Sequence, residues 1–148
     1  MLSVILRPFT PGDEASLVEV WFTSWLSVGI DHPKVTREFL ANRLPRDLAQ
    51  RWDVTIAEFN GAVVGFLALV LSERRLDQLF IAPDAQGKGI GHRLFELAKQ
   101  EMPDGFWLST QPDNARARAF YERAGMRLDR IEPDPSGDRV FYKLVQLT

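Results

Sequence analysis

Three glycines crowd into six residues at QGKGIG, positions 86–91, between a stretch that reads as a strand and one that reads as a helix. Glycine weakens a helix start unless the backbone needs an unusual angle or something must come very close to it. The first N–H groups of a helix lack internal partners, and the helix dipole adds positive potential there. With no Cβ at Gly87, Gly89 and Gly91, phosphate oxygens can reach those N–H groups, so the chemistry of this loop is anion binding. Two kinds of phosphate loop fail on spelling. A dinucleotide loop needs its third glycine at residue 92, which is His92, and a nucleotide-triphosphate loop needs Ser or Thr after its lysine, whereas Lys88 is followed by Gly89.

A second group with chemical reach is NARARAFYERAGM, residues 114–126. Asn114 and Tyr121 stand seven apart, nearly two helical turns, and therefore share a helix face. Asn114 is also a natural N-cap, and Tyr121 also suits a half-buried packing position. Near the strand that precedes the glycine loop lie Glu73, Asp77 and Gln78. Strand alternation sets Asp77 and Gln78 on opposite faces; Asp77 and Glu73 are the candidate general bases, and neither stands out. His32 and His92, the only histidines, lack ligand spacing, so no metal site is expected. Trp25, His32 and Phe39 cluster around a helix break and could form an aromatic wall able to hold an ammonium. Trp21, at core spacing, reads as core.

The pattern Q-x-x-G-x-G, here Gln86, Gly89 and Gly91, resembles the GNAT superfamily of acetyl-CoA-dependent N-acetyltransferases. The Asn114–Tyr121 segment matches the same family independently, in the family's order and spacing. The resemblance is specific over residues 76–126, looser from 52 to 145, and in outline only over 1–50. It implies that backbone N–H groups of Gly87, Gly89, Gly91 and His92 hold the pyrophosphate of coenzyme A, with Gln86 and Lys88 in the same loop. It implies that Leu79, Phe80 and Ile81 run beside the pantetheine arm, with Asn114 nearby and Tyr121 near the thioester sulfur. The implied reaction is direct transfer of an acetyl group from acetyl-CoA to a primary amine of a small molecule or peptide. The competing class is a non-catalytic module of the same fold that binds acyl-CoA or another protein.

These residues must be positioned by a scaffold, and the chain supplies one. At 148 residues it has the length of one domain, taken as 1–148, and its 45% hydrophobic and 26% charged residues suit a globular protein. Residues 4–7 read as a strand, and Thr10-Pro11-Gly12-Asp13 as a helix start with an acid three residues after its cap. Leu17, Trp21 and Trp25 recur at i, i+4, i+8 along the helix that follows, and residues 36–49 form a second helix. Residues 54–58 and 63–71, joined by Asn60-Gly61, read as a hairpin whose second arm is apolar on both faces and so belongs in the centre of a sheet. Strands over 76–81 and 105–110, helices from 89 to 102 and 114 to 124, and strands over 127–131 and 139–145 complete an α/β chain. The expected fold is a mixed, mostly antiparallel central sheet with helices on both faces.

Composition narrows the partners. Eighteen basic against twenty acidic side chains, a net charge of −2, give no basic excess for nucleic acid. The longest apolar run is too short to span a bilayer, and the N-terminus lacks the basic region and cleavage site of a signal peptide. The expectation is a cytoplasmic protein without nucleic-acid or membrane partners, with a homodimer left open. The absence of cysteine excludes disulfides and a cysteine nucleophile.

Overall fold

The computed structural model describes residues 3–28, 35–134 and 137–145. Strand β1 (Val4–Pro8) leads through a 3₁₀ turn (Pro11–Asp13) into helix α1 (Glu14–Ser27). The turn is set by Asp13, whose carboxylate accepts the backbone N–H of Thr10 at 2.9 Å and both terminal nitrogens of Arg7 at 2.8 Å. Helix α2 (Arg37–Gln50) starts on Thr36, whose hydroxyl accepts the N–H of Phe39 at 3.0 Å, the usual service of a threonine cap.

The hairpin of β2 (Asp53–Phe59) and β3 (Ala62–Val70) turns at Asn60 and Gly61, both with positive φ, as an Asn-Gly pair does. Strand β4 (Arg75–Ile81) pairs antiparallel with β3 and runs into the glycine loop and helix α3 (Ile90–Glu101). Strand β5 (Phe106–Thr110), helix α4 (Ala115–Arg123), and strands β6 (Arg127–Asp134) and β7 (Gly137–Leu144) follow. The sheet order is β1-β2-β3-β4-β5-β7-β6, antiparallel throughout except for β4 and β5.

The apolar alternation of β3 explains the layering. Phe66, Ala68 and Val70 point into a cluster with Leu17, Trp21, Leu40, Leu44 and Trp52, under α1 and α2. Leu67 and Leu69 point the other way, into a cluster with Ile90, Leu94, Phe95, Leu108, Tyr121 and Tyr142, under α3 and α4. Each fully buried side chain of this kind contributes roughly 1.5–3 kcal/mol. A strand with two apolar faces thus fixes helices on both sides, the arrangement expected from the sequence.

One irregularity creates the site. Strands β4 and β5 pair through a single register position, Arg75 with Trp107, at their N-terminal ends. Beyond it the strands diverge, leaving the β5-facing edge of β4 without a ladder partner over Leu79, Phe80 and Ile81. Such an edge offers N–H and C=O groups outside any ladder, of which the Ile81 carbonyl is taken by side chains. No helix among the described residues is long and apolar enough to cross a membrane.

Candidate active site

Two cavities open where β4 and β5 part. One, of about 610 Å³, is bordered by the C-terminal half of β4, the glycine loop, the start of α3 and one side of α4. The other, of about 420 Å³, lies among α1, α2, β4 and the end of β5. They share five residues: Leu79, Phe80, Asn114, Ala117 and Tyr121. Ligands in the two spaces would therefore meet at the Asn114–Tyr121 face of α4.

The glycines of the first cavity divide into two kinds. Gly87 and Gly89 have φ of +82° and +79°, and a Cβ at either would meet nothing within 4 Å. They allow the left-handed turn into α3 while keeping the space before its N-terminus open. Gly91 differs. Its added Cβ would lie 3.4 Å from the Phe120 ring, so this glycine packs α3 against α4 rather than serving only phosphate approach. Gln86 and His92 border the cavity, whereas Lys88 does not; its ammonium lies 5.9 Å from the centre of the Phe59 ring, towards the β2–β3 hairpin.

The open end of β4 is held from both sides. The Ile81 carbonyl accepts from Ser24 Oγ at 3.0 Å and from Gln86 Nε2 at 3.1 Å, and Gln86 Oε1 in turn accepts from Arg116. Gln86 thus locks strand, loop and α4 together. Ser24, buried in α1, escaped the sequence reading because a serine among apolar residues carries no periodic signal. Arg116 and Arg123 also border this cavity, cations suited to an anionic ligand.

Asn114 caps α4, its Oδ1 accepting the N–H of Ala117 at 3.2 Å, and still borders both cavities. Tyr121 is buried among Phe95, Phe120 and Tyr142. Burial pushes its phenol above the ordinary tyrosine value.

In the second cavity Trp25 and Phe39 both reach the wall, and buried Trp21 touches it from the core. His32 lies outside the described residues. The two candidate bases part company. Glu73 is exposed on the turn before β4 and borders neither cavity. Asp77 borders the second cavity, as does each β4 residue from Leu76 to Phe80. It sits at a β-bulge: Ala68 pairs with Gln78 and the next residue, Leu69, with Leu76, so Asp77 is the extra residue. Its carboxylate accepts the Trp52 indole N–H at 2.7 Å and pairs with Arg51 and Arg75, each at 3.2 Å.

A family model described as the acetyltransferase (GNAT) family matches residues 16–126. The chain belongs to the GNAT family of acetyltransferases. Among curated GNAT relatives, the peptidyl-lysine N-acetyltransferase YjaB of Salmonella typhimurium is 37% identical over 75 residues, half of this chain and half of its own length. The peptidyl-lysine N-acetyltransferase YiaC of Escherichia coli is 28% identical over 132 residues, 84% of each chain. Among solved structures, the PaiA N-acetyltransferase of Thermoplasma acidophilum in complex with coenzyme A superposes with a TM-score of 0.75 at 22% identity, covering 96% of this chain and 99% of that one. In this GNAT chain the first cavity combines an open glycine turn at a helix N-terminus, a strand edge outside the ladder and nearby arginines.

Proposed function

We propose that this protein is a cytoplasmic N-acetyltransferase that moves the acetyl group of acetyl-CoA to a primary amine of a small molecule or peptide by direct attack. The observation that carries the reading is the junction of two cavities at Tyr121, one built around the glycine turn and one around Trp25 and Phe39. The names of YjaB and YiaC, both peptidyl-lysine N-acetyltransferases, support an amine acceptor.

In this reading the loop N–H groups of Gly87, Gly89, Gly91 and His92 bind the pyrophosphate, and the edge of β4 at Leu79, Phe80 and Ile81 aligns the pantetheine arm. The neutral amine enters past Trp25 and Phe39 and attacks the thioester carbonyl. The C–N bond forms, backbone N–H groups stabilise the oxyanion, and the C–S bond breaks with coenzyme A leaving as the thiolate, while the surplus proton on nitrogen passes to water. Tyr121, kept protonated by burial, donates a hydrogen bond to the sulfur as it gains charge.

The test is release of coenzyme A thiol from acetyl-CoA over a panel of amines. A chain without cysteine gives a thiol reagent no background. Amine-dependent thiol release is expected. Tight acetyl-CoA binding without turnover on any amine would replace this reading by the non-catalytic acyl-CoA module.

A further inference from the structure

Strand β6 ends the sheet, with β7 as its one ladder neighbour among the described residues. Residues 127–133 are all exposed. They include two large apolar side chains, Leu128 at 52% and Ile131 at 55% exposure. An open edge that also carries apolar side chains is a template for another strand.

A β-bulge decides which of these side chains share a face. In the ladder with β7, Leu128 pairs with Tyr142, Arg130 with Phe141 and Ile131 with Val140, so Asp129 is the extra residue. Paired residues of a ladder point to one face. Leu128 and Ile131 therefore both lie on the face of Tyr142 and Val140, whereas an unbroken strand sets residues three apart on opposite faces. Arg127 and Glu132, paired with Lys143 and Arg139, lie on the other face. Arg130 lies there too, its guanidinium carbon 4.1 Å from the centre of the Phe141 ring, and it bonds Asp129 and Glu132 at 2.6 Å each. Over residues 127–132 the pattern of faces thus reads the same in both directions.

The chemistry of the stretch, RLDRIE, does so as well, with the charges exchanged. Laid antiparallel on a copy of itself about an axis between residues 129 and 130, it sets Arg127 opposite Glu132, Leu128 opposite Ile131 and Asp129 opposite Arg130. A twofold axis perpendicular to the sheet keeps each face on its own side, and the bulge gives all three pairs a common face. Arg127 supplies a further reason. It stands directly across the ladder from Lys143 and has no ion-pair partner among the described residues. Like charges opposed in this way are unfavourable, and a carboxylate from a second chain would relieve them.

We propose that a second copy of this chain occupies the β6 edge, pairing antiparallel over residues 127–132 in this register and joining two seven-stranded sheets into one. The contact is isologous. Backbone groups of the two edges form the ladder, Leu128 and Ile131 with their mates form an apolar patch, and the charged pairs fix the register. A contact built on one strand edge is small beside a standard interface of roughly 1,600 Å², so the dimer dissociates readily, with a Kd on the order of micromolar.

Sedimentation velocity of the full chain, from micromolar to millimolar protein, should show a monomer–dimer equilibrium. Arg127→Glu opposes carboxylates at both ends of the strand pair, and Glu132→Arg opposes guanidiniums. Each variant alone should dimerise at least about tenfold more weakly. An equimolar mixture of the two should recover the dimer, because each clash becomes an opposite pair, and so should the chain that carries both substitutions. Should a charge variant fail to fold, Ile131→Ser, at an exposed position, should weaken the dimer through the apolar patch alone. A chain that stays monomeric at millimolar concentration would overturn the proposal and leave the edge to an unlike partner. A dimer indifferent to these substitutions would place the contact on another surface, and weakening without recovery in the mixture would refute the register; either result overturns the proposal.

Discussion

The indole nitrogen of Trp52 donates to Asp77 Oδ2 across 2.7 Å, tying the entrance of β2 to the bulge of β4. With Arg51 and Arg75 on the same carboxylate, Asp77 ties the cavity wall together. Asp77→Asn keeps an acceptor for Trp52 but leaves the two guanidiniums without their shared counter-charge. Removing one partner of a buried pair typically costs about 3 kcal/mol or more; with both arginines partly exposed, about 2 kcal/mol is expected from urea unfolding. The acidic limb of the kcat/KM–pH profile should remain. Its disappearance in a variant of unchanged stability would make Asp77 the general base.

The strand edge that faces the first cavity depends on a glycine in the neighbouring strand. A Cβ at Gly65 would lie 2.8 Å from Ile81 Cδ1 and 2.9 Å from the Phe80 carbonyl oxygen. The second contact is with backbone, which can yield only by moving β4. Gly65→Ala is therefore expected to weaken acetyl-CoA binding by about tenfold, a displacement of a few tenths of an ångström being enough to spoil one or two hydrogen bonds. Isothermal titration with acetyl-CoA checks it, and unchanged affinity would detach the pantetheine from this edge. Gly89→Val is a poorer probe than its sequence position suggests, because a φ of +79° strains a β-branched residue with or without ligand.

Much of this was legible in the sequence, for physical reasons. The two-faced β3, the Asn60-Gly61 turn, the Asn114 cap and the strand–glycine–helix junction all rest on local rules of backbone conformation and apolar period. What failed to show was non-local. The bulge at Asp77 breaks alternation through the pairing of β4 with β3, and no residue type announces it. The wall of the second cavity draws arginines from positions 43, 51, 75 and 139, far apart in the chain. Glu73, two residues before β4, is near Asp77 in sequence yet falls outside both cavities because the turn carries it to the surface.

The Arg7–Asp13 pair gives stability a defined pH dependence. The Arg7 guanidinium, bonded to both carboxylate oxygens at 2.8 Å, holds Asp13 well below the usual carboxylate range, with help from the Thr10 N–H and hydroxyl. A carboxyl with a depressed folded value contributes stability above its unfolded pKa of about 4, and loses that contribution as pH falls through the range between the two. Asp13→Asn should thus cost about 2 kcal/mol at pH 7 and progressively less below about pH 4. Urea midpoints of both proteins at pH 7 and pH 3 measure the convergence. A gap that stays constant would show that the pair's charge contributes nothing.

Tyr121 offers the sharpest test of the chemistry. A thiolate with a pKa near 8.5 is a weaker base than an ordinary phenolate near 10, so complete proton transfer from tyrosine is already uphill by roughly 2 kcal/mol. Burial raises the phenol further, which makes full transfer harder but guarantees a protonated hydroxyl across the working pH range. The role proposed for it is hydrogen-bond donation to the sulfur as charge develops, and positioned donors of this kind are worth about a hundredfold to a thousandfold in kcat. Tyr121→Phe keeps the ring contacts with Phe95, Phe120 and Tyr142, whose centroids lie 6.2, 5.4 and 6.5 Å away. The variant should therefore fold, bind acetyl-CoA normally, and lose at least about tenfold in kcat. In wild type, no limb of the kcat–pH profile below about pH 10 should belong to this phenol, since its folded value lies above the ordinary one. Wild-type turnover in the phenylalanine variant would reduce Tyr121 to a packing residue and move the sulfur's donor elsewhere.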